Sequence, residues 1–226
     1  MDIFEALEHE RQVEKDFVEL TLRNERAPRG WPAALIMFHV GMWRERLRNS
    51  LIDLAAGREP ARLPEDVDQF NVSELADGIG TPVADAAGRA DYLLGELIEL
   101  YRSTGERPLA WYAASTTTEA VLRNSYTHPR NHMYAYLREN GEDARAFELF
   151  EQAFAEMRDA SAPPLIQQST RYNLACVRSV QGRADDALEL LKDVFAARPD
   201  MKEAARGDEE LAALREDARF QELLRP

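Results

Sequence analysis

The chain has 226 residues, 45% of them hydrophobic and 31% charged, with 28 basic against 41 acidic side chains and a net charge of −13. This is the balance of a folded globular protein, and with neither half of the chain basic it argues against nucleic-acid binding through phosphate neutralisation. No apolar run approaches the roughly 20 residues of a membrane span, the acidic start "MDIFEALEHERQVEKDF" lacks the basic and apolar regions of a signal peptide, and a single cysteine, Cys176, leaves no internal disulfide framework, so a reducing, cytoplasmic setting is expected.

Helical periodicity dominates the rest. The spacing of Ile3, Leu7, Phe17 and Leu20 predicts a first helix over 2–23, closed by the break "NERAPRGWP". A second helix is expected over 31–54, with Pro32 in its first turn, Leu35, Phe38, Met42 and Trp43 inward, and Gly57 as its stop. The polar stretch 58–80 reads as a long connection with a short helix near 73–76, and it is a candidate cover for a site. A third helix should span 82–101, turning Leu93, Leu94, Leu97, Ile98 and Tyr101 inward, and end at "STGERP". The fourth opens at the threonines 116–118, where Glu119 suits the positive end of a helix, and closes at Asn140-Gly141. No alternating pattern is long enough to build a sheet. The expected fold is all-α, with a four-helix bundle over 1–140.

Residues 141–226 follow a different rule. "NGEDARAFELFEQAF" at 140–154 aligns with "QGRADDALELLKDVF" at 181–195, so that Gly141 matches Gly182, Ala146 matches Ala187 and Phe154 matches Phe195. An internal repeat of this period predicts stacked helix pairs. Ala175, Gly182, Ala187 and Pro199 recur at tetratricopeptide spacing, and 171–226, with "DEELAALREDARFQELL", resembles the closing repeat of such arrays. The resemblance implies helical hairpins, and since roughly one and a half repeats is short for a peptide groove, a packing or homodimerisation role is expected. Tyr134 falls where the first repeat would have its small residue, which suggests that the last bundle helix doubles as the first helix of that repeat.

The segment "SYTHPRNHMYAYL" holds two of the four histidines, His128 and His132, at the i, i+4 spacing of one helix face. If the helix runs through Pro129, the stripe is Val121, Ser125, His128, His132 and Tyr136, and the proline should kink it locally. If the helix restarts at Pro129, the pair is less well aligned. His39 lies among apolar residues of the second helix. Three neutral imidazoles meeting in a bundle suit a divalent transition metal with one position left for water or substrate, the arrangement of catalytic sites.

"WPAALIMFHVGMWRERL", "DQFN" after the long connection and "HPRNH" together resemble the DinB/YfiT-like superfamily over the first 140 residues. That resemblance implies a four-helix bundle holding a divalent transition metal, zinc or nickel, on His39, His128 and His132. It further implies a metal-dependent hydrolase or a thiol-dependent transferase or isomerase acting on a small molecule, with a low-molecular-weight thiol as co-substrate in part of the superfamily. The competing classes are a non-catalytic interaction scaffold built on the repeats and a metal sensor without turnover. Other residues take plainer readings. His9 is solvated, and Trp31, Trp43, Tyr134 and Tyr136 belong to the core. Arg44, Glu45 and Arg46 form a solvated face, with Glu45 off the His39 face and no nominee for a base. The cluster 115–118 is a cap, and Cys176 is a small packed residue.

Overall fold

The computed structural model describes residues 1–23 and 28–225; the part of the predicted break at 24–27 lies outside the described residues. These form two compact units, 1–146 and 147–226, and both are helical apart from one short strand pair.

The first unit contains α1 (Ile3–Arg23), α2 (Ala33–Ala55), α3 (Val67–Leu75) with a 3-10 turn at Ala76–Gly78, and α4 (Val83–Thr104). A hairpin of β1 (Pro108–Trp111) and β2 (Ala114–Thr116) follows, then α5 (Thr117–Leu122), a π-helical turn (Arg123–Thr127) and α6 (His128–Glu139). The ends are capped by local chemistry. Thr116 accepts from the Glu119 N–H, and Gly57 and Gly141, at φ of 71° and 80°, take the left-handed conformation that closes a helix. Helix α2 packs along α4 and faces α6 and the π turn, while α1 packs on α4. Gly41 and Ala90 let the backbones of α2 and α4 come close at their crossing.

Three expectations change here. The buried stripe of α2 is Ile36, Met37, Val40, Trp43, Leu47 and Leu51, whereas Leu35, Phe38 and Met42 are only half-buried. The first half of α2, up to Trp43, is apolar almost all round, so its composition does not choose a face. Arg44 is not on a solvated face. It is fully buried and gives both terminal nitrogens to the Glu14 carboxylate, and Nη1 also reaches the Ala90 carbonyl at 3.1 Å. Finally, 108–116 forms an antiparallel hairpin that buries Leu109 and Trp111. With strands of four and three residues, its alternation is too short to stand out from the helical pattern.

Beyond residue 146, α7 (Asp143–Asp159) continues, followed by α8 (Pro164–Val180), α9 (Ala184–Ala197), α10 (Met201–Gly207), a 3-10 helix (Glu209–Leu214) and α11 (Ala218–Leu223). A core of Ala175, Ala187, Leu191, Val194, Phe195 and Phe220 joins α8, α9 and the closing elements. The repeat seen in the sequence recurs as turn geometry. Gly141 N–H bonds the Arg138 carbonyl and Glu142 N–H that of Leu137; Gly182 N–H bonds Ser179 and Arg183 N–H bonds Arg178. Both are Schellman closures, and both are followed by a wholly buried alanine, Ala146 and Ala187. No helix among the described residues is long and apolar enough to cross a membrane.

Candidate metal centre

Pro129 shapes the local backbone. It has no N–H for the Ser125 carbonyl, and its ring crowds that oxygen, so an unbroken α-helix is costly here. The chain answers with a π turn at 123–127, a device frequent at functional sites. His128 N–H now bonds the Arg123 carbonyl, five residues back. Two carbonyls lose their ordinary donors. The Ser125 oxygen accepts from Arg44, and the Asn124 oxygen accepts from the His128 imidazole. The Asn124 side chain in turn donates to the Trp43 carbonyl at 3.0 Å, tying the π turn to α2.

The three histidines singled out in the sequence come together. His128 Nε2 stands 3.0 Å from His39 Nε2 and 3.0 Å from His132 Nε2. His39 is buried, and the other two are half-buried. Since His128 Nε2 faces its partners, Nδ1 is the atom donating to the Asn124 carbonyl, and Nε2 therefore presents a lone pair. Burial is the first cause that drives all three imidazoles towards the neutral form. His39 falls to about 3, His128 falls well below its ordinary value, and His132 is also lowered. Mutual repulsion among the rings adds to this for His39 and His128.

Trp31 departs from its core assignment. It precedes α2, is 38% exposed, and stacks on the His132 ring with centroids 5.5 Å apart and planes 8° apart. It also meets His39 edge-on at 5.4 Å. The loop that carries it is pinned to the end of α6, where Arg29 N–H donates to Asn140 Oδ1 at 2.9 Å. On the other side of His39, Trp43 is held by its indole N–H to Asn71 Oδ1, at 3.0 Å. Asn71 belongs to the "DQFN" segment, so α3 serves the wall of the site. Trp43, Tyr134 and Tyr136 are buried as expected, and His9 is exposed.

Two buried carboxylates brace the centre from α1. Glu14 holds Arg44, and Glu10 holds Arg130, whose guanidinium lies 4.2 Å from the Tyr126 ring centre. Among the described residues, one group that could hold an ion consists of the three imidazoles, with no carboxylate in it. A second group, Cys176, Asp208 and Glu210, lies in the other unit. There Asp208 Oδ2 accepts from Tyr172 at 2.8 Å, Asp208 Oδ1 caps the Glu210 N–H, and burial and the acids push the thiol far up. That cluster is closed by its own donors, in keeping with a packed Cys176. No family model, curated protein or solved structure matches the chain.

Proposed function

We propose that the first unit is a DinB-like bundle in which His39, His128 and His132 hold a divalent transition metal, zinc or nickel. The activity proposed is that of a hydrolase, or of a transferase or isomerase using a low-molecular-weight thiol, on a small molecule. One observation carries the reading: three neutral Nε2 atoms gather with 3.0 Å between His128 and each partner. The rings do not satisfy one another. His128 Nε2 has one lone pair, and two neighbouring nitrogens compete for it. Protonation is opposed by burial. A divalent ion accepts all three lone pairs at once, and tetrahedral bonds of 2.0–2.1 Å put such nitrogens about 3.3 Å apart, a few tenths wider than found.

In that tautomer His39 Nδ1 carries a proton, and it is buried without a hydrogen-bond partner. Trp31 and Trp43, both steeply inclined to this ring, hold it where a hydrogen-bond acceptor for Nδ1 would otherwise do so. A bound ion would supply a Lewis acid and a bound water with pKa near 7. The chain contributes three orienting imidazoles and an indole that shields them, and it leaves the remaining position to water, a thiol or substrate. Glu10 and Glu14 are committed to arginines, so no carboxylate is nominated as a base.

The second unit is read as tetratricopeptide-like hairpins with a packing or dimerisation role, supported by the repeated Schellman turns and the buried Ala175 and Ala187. Elemental analysis tests the centre. One metal per chain in the purified protein, lost in a His39→Ala/His128→Ala/His132→Ala variant, is the expected result. Absence of metal from both proteins would overturn the proposal and leave the scaffold reading.

A further inference from the structure

Helix α2 carries more than a metal ligand on the face that meets the centre. His39, Trp43 and Arg46 stand at i, i+4 and i+7, on one stripe that rises about 10 Å from first to last. Arg46 differs from the arginines beside it. Arg44 is paired with Glu14 and Arg48 with Glu96. Arg46 is half-buried and, among the described residues, meets no carboxylate within 4 Å. Its guanidinium instead lies over the Phe70 ring, 4.6 Å from the centre.

The surroundings of this cation are aromatic. Phe70 packs on Trp43 at 5.3 Å, and Tyr112 packs on Trp43 at 5.6 Å. Tyr112 sits at the tip of the β-hairpin with φ of 50°, a left-handed conformation that costs a tyrosine on the order of 1 kcal/mol. The hairpin thus holds a partly exposed phenol against Trp43 at some expense. Burial raises the Tyr112 phenol above its ordinary value, while Arg46 and Arg123 lower it, so both guanidinium charges act on its hydroxyl. Arg123 lies on the π turn, five residues before His128. Helix α2, which holds His39, and the π turn, which leads into His128, each carry an arginine whose charge acts on this one phenol.

We propose that Arg46 and the Tyr112 hydroxyl form a carboxylate-binding subsite, and that the substrate is a small, flat organic acid whose other end faces His39, His128 and His132. This rests on the metal-centre reading for its second half only. A planar guanidinium that lacks a protein carboxylate suits a ligand carboxylate, which it grips through two parallel hydrogen bonds. The half-buried Phe70 ring and the partly exposed Tyr112 ring, both packed on Trp43, suit a flat body beside the stripe.

Benzoate and its neutral isostere benzamide test the subsite by quenching of tryptophan fluorescence in chelator-treated protein, where no metal competes for the carboxylate. Wild type is expected to bind benzoate saturably and benzamide at least tenfold more weakly. Arg46→Met, which keeps the aliphatic stem over Phe70, should weaken benzoate at least tenfold and still load metal as wild type does. If Arg46→Met does not keep the helical circular-dichroism signal, Arg46→Gln takes its place with the same expectation. Equal benzoate binding in the variant, equal binding of benzamide, or no saturable binding by wild type would overturn the subsite. A wild type that binds benzoate but never loads metal would sink the metal centre and leave the subsite standing.

Discussion

The Ser125 carbonyl, left by Pro129 without its helical donor, accepts a hydrogen bond from Arg44 Nη2 at 3.3 Å. This contact links a break in one helix to a buried charge on another. It shows why the π turn is tolerated: one freed carbonyl is satisfied by Arg44, and the other orients His128. Proline, arginine and histidine form one device in which a helix defect aims an imidazole.

Pro129→Ala restores the missing donor, and the π turn should relax towards an α-helix. The Asn124 carbonyl then returns to the backbone and no longer fixes the His128 tautomer. Metal affinity should fall by about 10–100-fold, the usual effect of losing an orienting partner, while the melting temperature holds or rises. Competitive chelator titration reads the affinity. A variant that binds metal as tightly as wild type would remove the π turn from the argument.

Arg44→Met leaves Glu14 as a buried charge with no partner, since each is almost wholly covered. The expected loss is about 3–5 kcal/mol in urea unfolding. Adding Glu14→Gln removes the stranded charge and should recover more than half of it. If the double variant is no more stable than the single, the carboxylate is solvated or protonated and the pair is not what braces the centre.

Much of this was legible. Pro32, Gly57, Thr116 and Gly141 punctuate the chain with local chemistry, so helix ends followed from the sequence. His39, His128 and His132 stood out because only four histidines exist and two lie one turn apart. Arg44 escapes a sequence reading because its partner, Glu14, is on α1, and no local pattern announces a pairing between helices. The proline signalled a distortion, but its form depended on what could satisfy Ser125. Trp31 looked like core because it is large and apolar; its position over His132 depends on a loop tied to Asn140.

Glu10 gives the stability a pH signature. Burial raises its carboxyl from 4.5 to about 7, against the pull of Arg130. Between those values the native state holds a proton that the unfolded chain has released. Its stabilising contribution is therefore complete below 4.5 and is lost as pH rises through 7. Within the window the slope is at most about −1.4 kcal/mol per pH unit. Glu10→Gln removes that slope, so from pH 5 to 7 the variant should gain stability relative to wild type, whatever its constant offset from the altered Arg130 contact. Urea midpoints at matched pH decide it, and parallel curves would mean that Glu10 is ionised throughout.

Trp31 should control exchange at the centre more than occupancy. Its indole lies parallel to the His132 ring and edge-on to His39, so it covers two of the three imidazoles, yet it donates no ligand. Replacing it by alanine leaves the nitrogens in place and opens a path for water and chelator to the ion. Trp31→Ala is expected to keep one metal per chain and to lose it to excess chelator at least tenfold faster. Trp31→Phe, which restores a flat ring, should recover most of the difference. Stripping rates equal in all three proteins would mean that the ion leaves by another face, and that the indole only packs against rings held in place by α2 and α6.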